Sequence, residues 1–104
     1  MRVLIIEPRK CPHVAEIDGS LKSMQEIVGG YIEVICPFAD KVAIVCDEDG
    51  KLKPDTEWNR LIPECGDIIK GTFFICGVDG EEFTGLSPEL IEKYANYFRS
   101  YFIP

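Results

Sequence analysis

A chain of 104 residues, 46% apolar and 28% charged, fits one domain spanning 1–104, because a second core would leave each half too small to be stable alone. That apolar fraction excludes a disordered tail, and no apolar run approaches the roughly 20 residues a membrane-crossing helix needs. Eighteen acids against eleven bases give a net charge of −7, which repels a phosphate backbone and argues against direct nucleic-acid binding.

Residues 1–7 read as a buried strand, a short branched run (Val3, Leu4, Ile5, Ile6) closed by Glu7 and Pro8. The run is too short for the apolar segment of a secretory leader, about 7–15 residues, so a soluble, cytoplasmic protein is expected. Two prolines in 8–13 leave only a loop there. Asp18-Gly19-Ser20 offers caps for a helix to about Val28, with Leu21, Met24, Ile27 and Val28 on one side and Gly29-Gly30 as the left-handed stop. Runs 31–36 and 42–47, joined by five residues, suit a β-hairpin. A polar turn follows at 47–51, and 54–62 could hold one helical turn or two around Trp58. The longest strand signal is 68–78, with Gly71 as a bulge or a point of close approach, before a turn at Asp79-Gly80. Ser87-Pro88-Glu89 is a strong helix start for a helix 89–102 that carries Leu90, Ile91, Tyr94, Tyr97, Phe98, Tyr101 and Phe102. One buried stripe cannot hold all of these, so some must cover another part of the sheet or form a partner surface. The expected fold class is α+β, a mainly antiparallel sheet packed against two helices.

The charge is concentrated. Between Asp47 and Glu82 lie ten acids and four bases, a net −6. Such a face either keeps a small protein soluble or attracts a basic protein surface and speeds encounter with it. The candidate partner-binding acids are Asp47, Glu48, Asp49, Asp79, Glu81 and Glu82.

Five cysteines without a C-x-x-C pair do not form a disulfide framework, and reduced thiols are the default. Cys46 and Cys76 sit inside apolar strands, where a thiol packs as a small hydrophobe. Cys11, Cys36 and Cys65 fall in loops or at strand ends, and with His13, the single histidine, they make a Cys3His set of the kind that holds structural zinc. The competing reading is unrelated free thiols and one surface histidine.

Catalytic constellations are weak. His13 is the one available imidazole base, Cys11 lies too close in sequence to align with it, and adjacent carboxylates such as Glu48/Asp49 resemble solvated turns. Gly29-Gly30 follows a helix instead of opening one, so it caps and does not cradle phosphate. An enzyme is not expected. Trp58, Asn59 and Arg60 either anchor a partner or place Trp58 in the core with Arg60 paired to Glu57 or Glu64; the core role is favoured for Trp58.

Glu7-Pro8, Glu16-Ile17-Asp18-Gly19, the string VGGYIE at 28–33, Pro37-Phe38, Val45-Cys46-Asp47-Glu48, Asn59-Arg60 and the string GTFF at 71–74 together resemble a small domain family of uncharacterised function carried by phages and conjugative elements of Gram-positive bacteria. The resemblance covers nearly the whole chain but does not extend to Cys11 and His13. It implies no activity or catalytic residue. It does imply a mobile-element setting, in which small acidic proteins often inhibit host defence, as anti-restriction and anti-CRISPR proteins do. The expected function is a non-enzymatic protein that binds a host protein, a defence nuclease, through its acidic surface; the alternative is a regulatory or structural accessory domain of the element.

Overall fold

The structure, a computed structural model, describes residues 1–100. Eight strands and two helices follow one another as β1 (Arg2–Ile6), β2 (His13–Glu16), α1 (Leu21–Val28), β3 (Ile32–Ile35), β4 (Val42–Asp47), β5 (Trp58–Ile62), β6 (Asp67–Lys70), β7 (Phe73–Asp79), β8 (Glu82–Thr84) and α2 (Pro88–Tyr97). Six strands form one antiparallel sheet in the order β2-β1-β7-β4-β3, with β8 also paired to β7. The remaining two, β5 and β6, make a separate hairpin. This is the α+β class read from the sequence.

Strand alternation sorts the side chains into two cores. Val3, Ala43, Val45, Phe74 and Cys76 point to one face, where Met24 and Val28 of α1 cover them. Leu4, Val42, Ile44, Cys46, Phe73 and Ile75 point to the other, under Tyr94 of α2, Phe98 just past its end, and Ile62 and Ile69 of the small hairpin. Covered on both sides, β4 is buried throughout, which is why it reads as a continuous apolar run.

Both helices start as their sequences dictate. The Ser20 hydroxyl accepts from the Ser23 N–H and the Ser87 hydroxyl from the Leu90 N–H, with Pro88 in the first turn. Gly29 closes α1 at φ +83. Next to it, a Cβ on Gly30 would lie 2.6 Å from Asp47 Oδ1, so this glycine allows the turn to close over that carboxylate. Helix α2 ends at Tyr97, short of the expected Phe102: Phe98 caps it and residues 98–100 form a turn and bend, while Tyr101 and Phe102 lie outside the described residues.

Three expectations need correction. Residues 58–62 are a strand and not helical turns, with a bulge between Trp58 and Arg60 that turns Asn59 and Arg60 both inward. The run 68–78 is two strands in different sheets. Gly71, at φ +83 with its N–H donating to the Glu57 carbonyl at 2.7 Å, breaks it. The loop expected over 8–13 gives way at His13 to β2, a short edge strand formed by pairing with the preceding β1; β8, where no element is expected, forms likewise by folding back on β7.

Candidate interaction surface

The acids expected to act together are divided by the topology. Asp47 ends β4 and Glu48 and Asp49 follow it, whereas Asp79 ends β7, Glu81 lies in the turn after it and Glu82 opens β8. These strands are antiparallel neighbours, with Val42 opposite Gly77, and the Val78 N–H donates to the Lys41 carbonyl. Continuing that register sets Asp79 across from Asp40, seven residues from Asp47, or roughly 23 Å along the strand at about 3.3 Å per residue. The single acidic surface read from the sequence is two patches.

Asp47 also leaves the set of presented acids. It is only 8% exposed, accepts from the Asp49 N–H at 3.0 Å and pairs with Lys53 Nζ at 2.5 Å, while Lys53 also donates to the Gly29 carbonyl at 2.9 Å. It is a structural corner joining the end of α1 to the turn after β4. The other five acids are exposed, and none forms an ion pair among the described residues.

Each patch has its own geometry. At the β7–β8 hairpin, Asp79 pairs directly with Glu82 across a two-residue turn. Gly80 supplies the positive φ, +62°, that a type II′ turn requires at its first central position. Two like charges face each other there, an arrangement that costs stability. At the other end, Glu48 and Glu33 line a hollow of about 240 Å³ between the sheet and the small hairpin, together with Asp67, Lys51, Lys70 and Cys46. Lys51 holds Asp67 by a salt bridge and keeps its carboxyl below the usual carboxylate range. Burial, with the nearby Glu33 carboxylate adding to it, pushes the Cys46 thiol up to about 12. Glu33 was not singled out in the sequence; its place on an edge strand beside the 47–49 turn is visible only once β3 and β4 are paired.

Of the four residues of the expected zinc set, two share a hollow. Cys11, Cys36 and Cys65 are exposed, and Cys36 and Cys65 line one open hollow with Pro37 and Asp67. His13 stands on β2 with Nδ1 3.7 Å from Glu7 Oε1. Among the described residues no three of His, Cys, Asp or Glu are grouped to hold a metal. Cys46 and Cys76 are buried in strands, as expected.

Trp58 and Arg60 exchange the roles expected of them. Trp58 is 46% exposed, with Lys70 Nζ 5.4 Å from its ring centroid. Arg60 is fully buried, and its guanidinium donates to the carbonyls of Phe98 (2.9 Å) and Lys10 (2.6 Å) and to Asn59 Oδ1 (2.6 Å). Asn59 in turn donates to the carbonyls of Ile6 and Gly71. The pair ties β1, the loop after it, β5 and the end of α2 together. Burial lowers the Arg60 pKa from its ordinary value, offset in part by the nearby Cys11.

This α+β protein belongs to the DUF3846 family, a domain of unknown function whose pattern matches residues 1–99. No curated protein and no solved structure matches the chain. No helix among the described residues is long and apolar enough to cross a membrane.

Proposed function

We propose that this is a non-enzymatic protein of a phage or other mobile element that binds and inhibits a basic, nucleic-acid-binding host defence protein of the kind anti-CRISPR or anti-restriction proteins target. The observation that carries this reading is the gathering of five exposed acids, Glu48, Asp49, Asp79, Glu81 and Glu82, in two turns at the ends of neighbouring strands, where none has an ion-pair partner among the described residues. The Asp79–Glu82 pair supports it further, since like charges set opposite each other lower stability and are retained most readily where they serve recognition. A nuclease groove built for phosphate offers the complementary charge, and attraction between the two surfaces speeds encounter.

The test is phage plaquing on hosts that carry or lack a nuclease-based defence, with the protein expressed in each. Plaquing should recover only in the defended host. The variant Glu48→Lys, Asp49→Lys, Glu81→Lys, Glu82→Lys should lose that effect while keeping its thermal melt. Recovery undiminished by the four reversals, or no recovery against any nuclease defence, sinks the proposal.

A further inference from the structure

The outer edge of β3 is the part of the acidic surface whose backbone is set to bond. The Glu48 N–H donates to the Tyr31 carbonyl at 2.8 Å, and the pairing runs on from Ile32 opposite Asp47 to Ile35 opposite Ile44. In an antiparallel pair, alternate residues turn both backbone groups toward the neighbour. Tyr31, Glu33 and Ile35 therefore face β4, and Ile32 and Val34 turn their N–H and C=O outward. Val34 is 41% exposed, Tyr31 beside the strand is 69% exposed, and the strand holds no proline. Glu33 is the one charge that blunts this edge.

The side chains alternate as well. Ile32 packs with the α1 core, and Val34 shares that face of the sheet with Val45. Glu33 stands on the opposite face beside Cys46, over the hollow it shares with Glu48, the Lys51–Asp67 pair and Lys70, so that Glu33 and Glu48 are its unpaired acids among the described residues. A strand laid against β3 would thus place every second residue against Val34 and the residues between them before Glu33 and Glu48.

We infer that the β3 edge takes up an extended segment of the basic partner, with apolar residues on the α1 side alternating with Lys or Arg on the Glu33 side. This rests on the partner reading above and locates its contact. Charge selects the occupant. A second copy, in the register that pairs Ile32 with Val34, would bring the two Glu33 carboxylates directly opposite each other. The far edge, β2, is charge-balanced: Arg2 lies 3.2 Å from Glu16, and Lys10 and His13 lie 3.3 and 3.7 Å from Glu7.

The probe is a short acetylated peptide alternating valine and lysine, titrated into isotope-labelled protein and followed by NMR amide shifts and hydrogen exchange. Saturation should slow exchange at Ile32 and Val34 by about tenfold or more, because those amides gain partners. The matched valine–glutamate peptide should do nothing. Val34→Pro removes an outward donor, which an edge strand tolerates, and should abolish the effect. Glu33→Lys should reverse the preference toward the glutamate peptide, a readout independent of whether the proline variant folds. Protection elsewhere, or none, overturns the inference, as does concentration-dependent protection of the same amides in the free protein as it dimerises. If Val34→Pro and Glu33→Lys still inhibit host defence, the edge is wrong and the partner reading stands.

Discussion

Replacing Arg60 with methionine tests whether one side chain fastens the two ends of the chain to the small hairpin. The guanidinium is fully buried and donates to the carbonyls of Phe98, Lys10 and Glu7 and to Asn59 Oδ1, at 2.6–3.4 Å. Methionine keeps much of the volume and none of the donors. A bond from a charged donor is worth about 1.5–3 kcal/mol, but bonds made by one side chain do not add. Methionine leaves several buried neutral acceptors unsatisfied at about 1–3 kcal/mol each, so a combined loss of roughly 3–5 kcal/mol is expected, a large share of the roughly 5–15 that holds a domain together. With a urea slope near 1.5 kcal/mol/M, the unfolding midpoint should fall by about 2–3 M at unchanged slope. Arg60→Lys, a point donor in place of a fork, should recover less than half of the loss. Amides near Phe98 should exchange faster even where the fold survives. A midpoint shift below about 0.5 M at unchanged slope would show that these bonds contribute little and that apolar contact alone holds the hairpin.

Gly71→Ala forces an L side chain to φ +83 with its Cβ 2.8 Å from Thr56 Cγ2, so a thermal melt should show about 1–3 kcal/mol lost. Gly80→Ala, at φ +62 with nothing within 4 Å, should cost less. In the native protein a thiol reagent at mildly alkaline pH should modify Cys11, Cys36 and Cys65 quickly and leave Cys46 and Cys76, both pushed up to about 12 by burial, until unfolding; five fast thiols would contradict the packing. Asp40, bonded by Lys93 at 2.6 Å and by the Tyr94 hydroxyl at 2.8 Å, has its pKa lowered from 3.8. A carboxyl depressed in the folded state stabilises at pH above its unfolded pKa, and that contribution is lost as pH falls through the folded one. Melting temperature should therefore drop below about pH 4, and Asp40→Asn should flatten the drop.

Much of the fold is local enough to be legible. Ser20, Gly29, Ser87 and Pro88 act within a turn of where they stand, so both helix starts and the end of α1 were readable. The β3–β4 hairpin was readable because its strands follow each other across a short loop. What escaped depends on distance. The bulge at Trp58/Arg60 puts two consecutive polar residues inside, which defeats any period-two reading. Their partners, the carbonyls of Ile6, Lys10 and Phe98, are supplied by segments about 40–50 residues away. The acids misled for a geometric reason: both sets lie at the C-terminal ends of strands, and the strands are antiparallel neighbours, so charge adjacent in composition was carried to opposite ends of the sheet.

That separation allows the two patches to be told apart. A partner strand on β3 lies beside Glu33 and Glu48, whereas the Asp79–Glu82 hairpin is roughly 23 Å from the turn after β4, well beyond the Debye length of about 8 Å at physiological salt. Reversing Glu48 and Asp49 to Lys should therefore act at contact range, raising the dissociation rate at any ionic strength. Reversing Asp79 and Glu82 should act through the long-range field alone, slowing association at low salt and having little effect above it. The same hairpin change should not destabilise the free protein as ordinary disruption would, because it replaces one like-charge pair with another; Glu82→Lys alone creates an opposite-charge pair with Asp79 and should raise stability by about 0.2–1 kcal/mol. Surface plasmon resonance across a salt series, beside a thermal melt of each variant, separates the cases. If the hairpin reversal raises dissociation at high salt and the Glu48/Asp49 reversal does not, the partner sits on the β7–β8 hairpin and the edge of β3 is left free.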